Sequence, residues 1–420
     1  MKILMGISGS IAAYRAPELV RALLAQGHEI EVLATPKALE FVTATTVETF
    51  LGKKLLSADP FDHQHTGTDH IRWSRWADRI LVYGATAQTL AQLANGFGES
   101  LLQLQILAAR CPVIVVPAMN PEMWRHPAVQ ENVRKLKNWN YQFVGPVYGK
   151  VACGEIGLGH VAEVDEICNI VSHKGDFVPA GFLKGKKVLI SAGAMQTPID
   201  VARVIVNKSS GLMGLELARV ARFHGADVEV VLGPIRADLE KSYESFRCFR
   251  YEGAQKYQTL IEERFSDCDI FVSTAAVLDF ETVGKNQKLK RSDLGSQLYF
   301  EIQPTQDFVK YCAEVKKPHQ RVVAFAAEFG SDREVLSRAK EKLIQKNVDY
   351  IVANPIGENT GFGSKTNHMW IVNKNLATVS LGFGSKFDLA VKLFSQIQTD
   401  INAESQAIDN FLESSVSQTT

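Results

Sequence analysis

Short β-branched runs alternate with longer amphipathic ones along this chain, the pattern of parallel strands covered by helices. Residues 2–7, 29–34, 79–83 and 113–117 read as buried strands. Between them 12–26 reads as a helix closed by Gly27, and 86–95 as another closed by Gly96. The alternation then restarts with strands at 187–191, 227–232, 269–274, 321–326 and 349–353, separated by helical stretches such as 212–224 and 332–346. The pattern predicts an α/β protein with two doubly wound, parallel-sheet (Rossmann-like) domains.

Length agrees, since 420 residues exceed what one hydrophobic core usually supports. The segment 172–186 carries Gly175, Pro179, Gly181 and Gly185 and reads as the linker between a domain at 1–171 and another at 187–398. Residues 399–420 read as a polar tail, frayed from Glu404 onward. Lys plus Arg and Asp plus Glu number 46 each, so charge makes no case for a nucleic-acid partner or an acidic membrane surface. The apolar start, residues 3–13, is broken by Gly6, Ser8, Gly9 and Ser10, and reads as a strand and turn rather than a signal peptide or membrane span. The six cysteines (Cys111, Cys153, Cys168, Cys248, Cys268 and Cys312) lack Cys-x-x-Cys spacing. That argues against a zinc site and a disulfide framework, and for a reducing cytoplasm.

Two glycine-containing turns precede helices. In Gly6-Ile7-Ser8-Gly9-Ser10 backbone N–H groups and the Ser8 and Ser10 hydroxyls can face a phosphate. Asn207-Lys208-Ser209-Ser210-Gly211 is the second. Neither fits the dinucleotide or P-loop pattern, and such turns also serve simply as tight strand-to-helix connections. More telling is a trio: His70 in Asp69-His70-Ile71, Asn120 in Pro117-Ala118-Met119-Asn120, and Cys153 in Ala152-Cys153-Gly154-Glu155-Ile156-Gly157. An imidazole that takes a proton, a carboxamide that holds a carboxylate and a thiol on a glycine-hinged loop suit decarboxylation with proton return. Such chemistry needs an electron sink, hence a cofactor. Taken singly, each residue has a plainer reading as a solvated histidine, a helix cap and an inert thiol.

Together, residues 6–14, His70 with Trp76-Ala77-Asp78, the Asn120 segment and the Cys153 loop resemble the flavin-dependent cysteine decarboxylase family. The second half resembles the phosphopantothenate–cysteine ligase family, and the order matches the bifunctional bacterial coenzyme A biosynthesis family over roughly residues 1–398. The resemblance implies a flavodoxin-like first domain that binds FMN through Gly6, Ser8, Gly9, Ser10, Thr86 and Met119. It implies His70 as base in substrate oxidation, Asn120 with Met119 positioning the carboxylate, and Cys153 returning a proton. Gly154, Gly157 and Gly159 would let the Cys153 loop close over substrate. The first domain would be trimeric within a larger homo-oligomer. Relatives usually carry Ala-Pro-Ala-Thr/Ser-Ala-Asn/Asp where this chain has Tyr83-Gly84-Ala85-Thr86-Ala87-Gln88, and Glu99-Ser100 and Gln103-Leu104 also depart from the pattern.

For the second half the resemblance implies CTP-dependent joining of 4′-phosphopantothenate to L-cysteine, with Mg2+ bridging phosphates; its protein ligands are unknown. Asn207 would steady the acyl-cytidylate and Lys288 the triphosphate, while Ala275, Asp279, Gln306, Asp307, Phe308, Val309, Phe325, Lys342 and Lys346 would line the nucleotide site. Plainer readings are solvated lysines, a capping aspartate and a glycine kept for helix packing. Here too the chain departs, with Met195 and Thr197 where relatives read Thr and Glu, and Leu212 where they carry a basic residue. Two alternatives stand beside this one. A flavin prenyltransferase-like enzyme would leave Asn120, Cys153 and the second half unexplained, and a non-catalytic flavoprotein scaffold would leave unexplained the retention of His70, Asn120, Cys153, Asn207 and Lys288.

Overall fold

The computed structural model describes residues 1–59, 68–175, 182–284, 286–290, 299–357 and 361–416, with side chains of the last helix through 406. They fall into two units, Met1–Gly175 and Asp176–Thr420. In the first, β1 (Lys2–Ile7), β2 (Glu29–Ala34), β3 (Arg79–Ala85), β4 (Val113–Pro117) and β5 (Gln142–Phe143) pair in parallel in the order β2-β1-β3-β4-β5. This is the flavodoxin-like order, in which the chain leaves β1 for one neighbour and later returns to the other. Every residue of β3 and β4 is buried, so apolar side chains fill successive rather than alternate positions.

The helix expected over 12–26 divides into a 3-10 turn, Ile11–Arg15, and an α-helix, Ala16–Ala25. Pro17 explains the division: it has no N–H to donate to the carbonyl four residues back, so the α-helix begins there, with Pro17 in its first turn. After β5 comes an antiparallel hairpin, β6 (Val147–Lys150) and β7 (Ile156–His160), with Cys153 in its connection.

The second unit holds β8 (Lys187–Ala192), β9 (Gln196–Asp200), β10 (Arg203–Val206), β11 (Asp227–Leu232), β12 (Arg247–Arg250), β13 (Ile270–Ser273), β14 (Phe280–Thr282), β15 (Ile302–Pro304), β16 (Arg321–Glu328), β17 (Tyr350–Pro355), β18 (Thr366–Asn373) and β19 (Thr378–Ser385). Its main sheet runs β12-β11-β8-β13-β16-β17-β18-β19. Pairing is parallel as far as β17, and the last two strands are antiparallel. The expected doubly wound parallel sheet is present and carries an antiparallel pair at this edge. The short connection between β18 and β19 makes a hairpin, whereas a parallel neighbour needs a long crossover. Strand order turns between β8 and β13, so the crevice at their carboxyl ends is where a ligand site belongs.

The presumed linker and tail also need revision at their ends. Residues 176–181, including Pro179 and Gly181, lie outside the described residues. On one side of them, Ser172 ends the helix Val164–Ser172 and its hydroxyl bonds Gln26 at 2.6 Å and His28 at 2.8 Å. On the other, Leu183 is fully buried. The helix Lys386–Val416 continues through most of the stretch read as a tail. Its polar residues have partners: Asp400 accepts from Asn373 at 3.1 Å, and Glu404 pairs with Arg321 at 2.9 Å and Lys374 at 2.8 Å. Among the described residues no helix is long and apolar enough to cross a membrane.

Candidate active sites

Asn120 follows β4 and caps the helix Pro121–Arg125, its Oδ1 accepting from the Glu122 N–H at 2.8 Å. That bond orients the amide so that Nδ2 donates to Cys153 Sγ at 3.5 Å and to Glu155 Oε2 at 2.9 Å. Two residues 33 positions apart are thereby joined. Glycines on β7 permit the approach: a Cβ on Gly159 would lie 2.3 Å from the Met119 carbonyl oxygen, and one on Gly157 would lie 2.8 Å from Pro121. The backbone bond from Met119 N–H to the Gly159 carbonyl, 3.1 Å, closes the same contact. Gly157 and Gly159 therefore serve close packing rather than loop closure. Gly154, with φ of 89° and open space around it, is the one suited to a hinge. Gly159→Ala is expected to push the Asn120 segment off the hairpin and lower activity at this site by about 10-fold or more, with activity at the second site unchanged in parallel assays.

His70 sits on another element, the helix Asp69–Trp76, where its backbone carbonyl accepts from Ser74 Oγ at 2.5 Å. Among the described residues its imidazole makes no hydrogen bond to Asn120 or Cys153. Met119 packs partly against the hydrophobic core.

The Ser8–Ser10 turn lies at the point where strand order turns between β1 and β3, with the Ser8 N–H on the Tyr83 carbonyl at 2.9 Å. Ser8 Oγ bonds Thr89 Oγ1 at 2.6 Å, the Thr89 and Thr86 hydroxyls lie 3.1 Å apart, and Thr86 Oγ1 caps the helix Ala87–Ala94 by accepting from the Thr89 N–H at 3.2 Å. The Ser10 and Tyr83 hydroxyls are buried with no hydrogen-bond partner among the described residues. Burial also pushes the Tyr83 phenol upward from its ordinary value. An orphaned hydroxyl at the head of a strand-to-helix turn fits an anionic group such as a phosphate. Gly9 lies against the Lys37 side chain, and Gly6 against Leu102, so the latter serves packing.

In the second unit a cavity of about 600 Å³ opens at the carboxyl ends of the strands. Asn207, Ala275, Asp279, Gln306, Asp307, Phe308, Val309, Phe325, Lys342 and Lys346 all line it. Phe308 and Val309 are anchored in the core, Phe308 against Tyr257 with ring centroids 5.1 Å apart. Lys342 pairs with Glu328 at 2.6 Å and Lys346 with Asp307 at 2.5 Å. The Asn207 amide donates to the carbonyls of Ala276, 2.9 Å, and Val277, 3.1 Å, so what it can offer a ligand is its Oδ1 acceptor. Gly214 lets the helix Leu212–Phe223 press on the strand ends, because a Cβ there would lie 2.4 Å from Ala192 Cβ.

Lys288 does not line the cavity and is exposed. Its neighbour Leu289 is clamped: the N–H donates to Asp200 at 3.1 Å and the carbonyl accepts from Arg203 at 2.8 Å. The Asp200 carboxyl is held well below the usual range, first by its bond to Arg203, then by the Ala202 and Leu289 N–H groups. Sequence reasoning missed Glu155, Thr89, Asn354, Asn367 and Lys386. The last three line the cavity, and no motif marks them. Among the described residues no group of three His, Cys, Asp or Glu is placed to hold a metal.

Residues 1–175 match the family model described as Flavoprotein, and 183–401 match the DNA/pantothenate metabolism flavoprotein C-terminal domain. The fold and sites thus define a two-part α/β flavoprotein-type enzyme. The chain is 38% identical to the coenzyme A biosynthesis bifunctional protein CoaBC of Vibrio cholerae over 371 residues, which is 87% of this chain and 90% of the relative. It is 35% identical to that of Bacillus subtilis over 399 residues, 94% and 96% of the two chains. The match to that of Borreliella burgdorferi is 34% over 373 residues, 89% and 93%. The chain belongs to this family of bifunctional coenzyme A biosynthesis enzymes, which combine decarboxylase and ligase activities.

Proposed function

We propose that residues 183–401 join 4′-phosphopantothenate to L-cysteine at the expense of CTP, and that residues 1–175, carrying FMN, decarboxylate the product to 4′-phosphopantetheine. The observation that carries the first-unit reading is the Asn120 amide aimed at both the Cys153 thiol and a carboxylate. Glu155 stands there as a surrogate for the substrate carboxyl group, which the same N–H would hold. The flavin, when bound, supplies the electron sink that loss of carbon dioxide requires. Ser10 and the turn around it would hold the FMN phosphate, Cys153 would return the proton, and His70 would act as base. This unit would assemble as a homotrimer within a larger homo-oligomer, and exposed Tyr148, Ile156 and Leu158 on the hairpin and Met123 beside Asn120 would suit a subunit interface.

In the second unit the substrate carboxylate oxygen attacks the α-phosphorus of CTP and pyrophosphate leaves. The cysteine amine then attacks the acyl carbon, expelling CMP and losing a proton. Lys342 and Lys346 would meet the nucleotide, where a bound Mg2+ would help to neutralise phosphate charge, and Asn207 Oδ1 would accept from a donor on the acyl intermediate or the amine. Six free cysteines are in keeping with a cytoplasmic setting. Supplying phosphopantothenate, cysteine and each nucleotide in turn, while following pyrophosphate and carbon dioxide separately, tests the assignment. A yellow protein that releases both with CTP is the expected result. A colourless chain that flavin does not reconstitute, and that releases neither, would overturn it.

A further inference from the structure

Lys386 begins the long helix after β19 and lines the cavity, yet it is only 5% exposed. Its ammonium makes one hydrogen bond among the described residues, a long one of 3.4 Å to the Gly361 carbonyl. Unlike Lys342 and Lys346 it forms no ion pair there. A buried ammonium with unfilled donor capacity is costly unless an anion arrives to meet it. Desolvation, then the nearby Arg236 charge, pulls its pKa down to about 8, with Glu216 opposing. Beside it the helix Leu212–Phe223, of 12 residues, starts at Gly211, which has no side chain to cap the first turn; the Leu212 N–H makes a long bond, 3.4 Å, to the Ser210 hydroxyl. Gly211 must stay glycine, since φ is 81° and a Cβ would lie 2.5 Å from Ile235. Helix terminus and buried ammonium face one cavity and call for the same kind of ligand, a compact anion.

We propose that Lys386 and the amino end of the helix Leu212–Phe223 form the pocket for the phosphate monoester of the acyl substrate, apart from the lysines that meet the nucleotide. The proposal rests on the ligase reading of this unit. Lys342 and Lys346 stand on the helix Asp332–Lys346, which packs with Phe308–Val315, whereas Lys386 stands on the helix that packs with Leu212–Phe223. A long substrate can therefore lie across the strand ends with its activated carboxyl near Asn207 and the phosphate at Lys386.

The test uses the full chain as wild type, Lys386→Met and Lys386→Arg. Lys386→Met is expected to raise KM for 4′-phosphopantothenate about 10- to 100-fold, the range of a lost charge-assisted bond, and to leave KM for CTP within about 2-fold. Lys386→Arg should recover most of the loss. Inorganic phosphate should raise the melting temperature of wild type and not of Lys386→Met. An unchanged KM for phosphopantothenate, or an equal rise for CTP, would overturn the proposal. So would a ligand-free Lys386→Met chain that melts well below wild type, because the ammonium would then serve the fold. A wild type that releases no pyrophosphate would instead sink the ligase reading, and the phosphate-dependent melting shift would still decide on Lys386.

Discussion

Asn120→Asp is expected to cut decarboxylation about 10²–10³-fold, the scale of losing one positioned donor, while pyrophosphate release by the second unit stays at the wild-type rate. The substitution is clean because aspartate caps a helix as well as asparagine does. One carboxyl oxygen can keep the 2.8 Å bond from the Glu122 N–H. The other then faces the Glu155 carboxylate, where the amide stood at 2.9 Å, and a repulsive pair replaces an attractive one. A substrate carboxylate would meet the same repulsion. Carbon dioxide release from phosphopantothenoylcysteine, together with an unchanged melting temperature, checks the result. A variant retaining more than about one tenth of the wild-type rate would show that Asn120 holds no carboxylate in the reaction.

Asn207→Asp should give the mirror image. Both amide protons of Asn207 are committed to the Ala276 and Val277 carbonyls. A carboxylate oxygen in their place would lie about 3 Å from two other oxygens. Leaving two such acceptors unmatched costs roughly 1–3 kcal/mol each, enough to displace the loop that follows β13. Ligation is expected to fall about 100-fold or more, read as pyrophosphate release, with decarboxylation of supplied phosphopantothenoylcysteine intact. Equal loss of both activities in a folded chain would contradict the assignment of two separate sites.

Both sheets were legible in the sequence because their central strands are buried on two faces and written as continuous apolar runs. The edge pair β18 and β19 was harder, since hairpin strands with one covered face mix polar and apolar residues. The departures around the sites have local accounts that spacing could not show. Ser100 and Gln103 form a reciprocal cap at the start of the helix Leu101–Leu107. Met195 is buried in the core of the second unit, and Thr197 ties β9 to Thr282, accepting its N–H at 2.8 Å. Lys386 escaped notice because a lone lysine opening an amphipathic helix reads as solvated. Only its burial and the cavity before it set it apart. Lys288 shows the reverse, a residue named by resemblance that is not among those lining the cavity and that neighbours the Leu289 backbone held by Asp200.

Gly84 has a φ of 68°, and a Cβ there would come within 2.8 Å of the Ser10 hydroxyl. Proline locks the same angle near −65°, so the residue that relatives usually carry cannot simply be restored at this place. Drift back toward the common pattern would require the peptide to invert and the neighbouring serine to relocate in the same step. Gly84 and Ser10 are therefore coupled, and a design that restores the proline alone would start from a strained backbone.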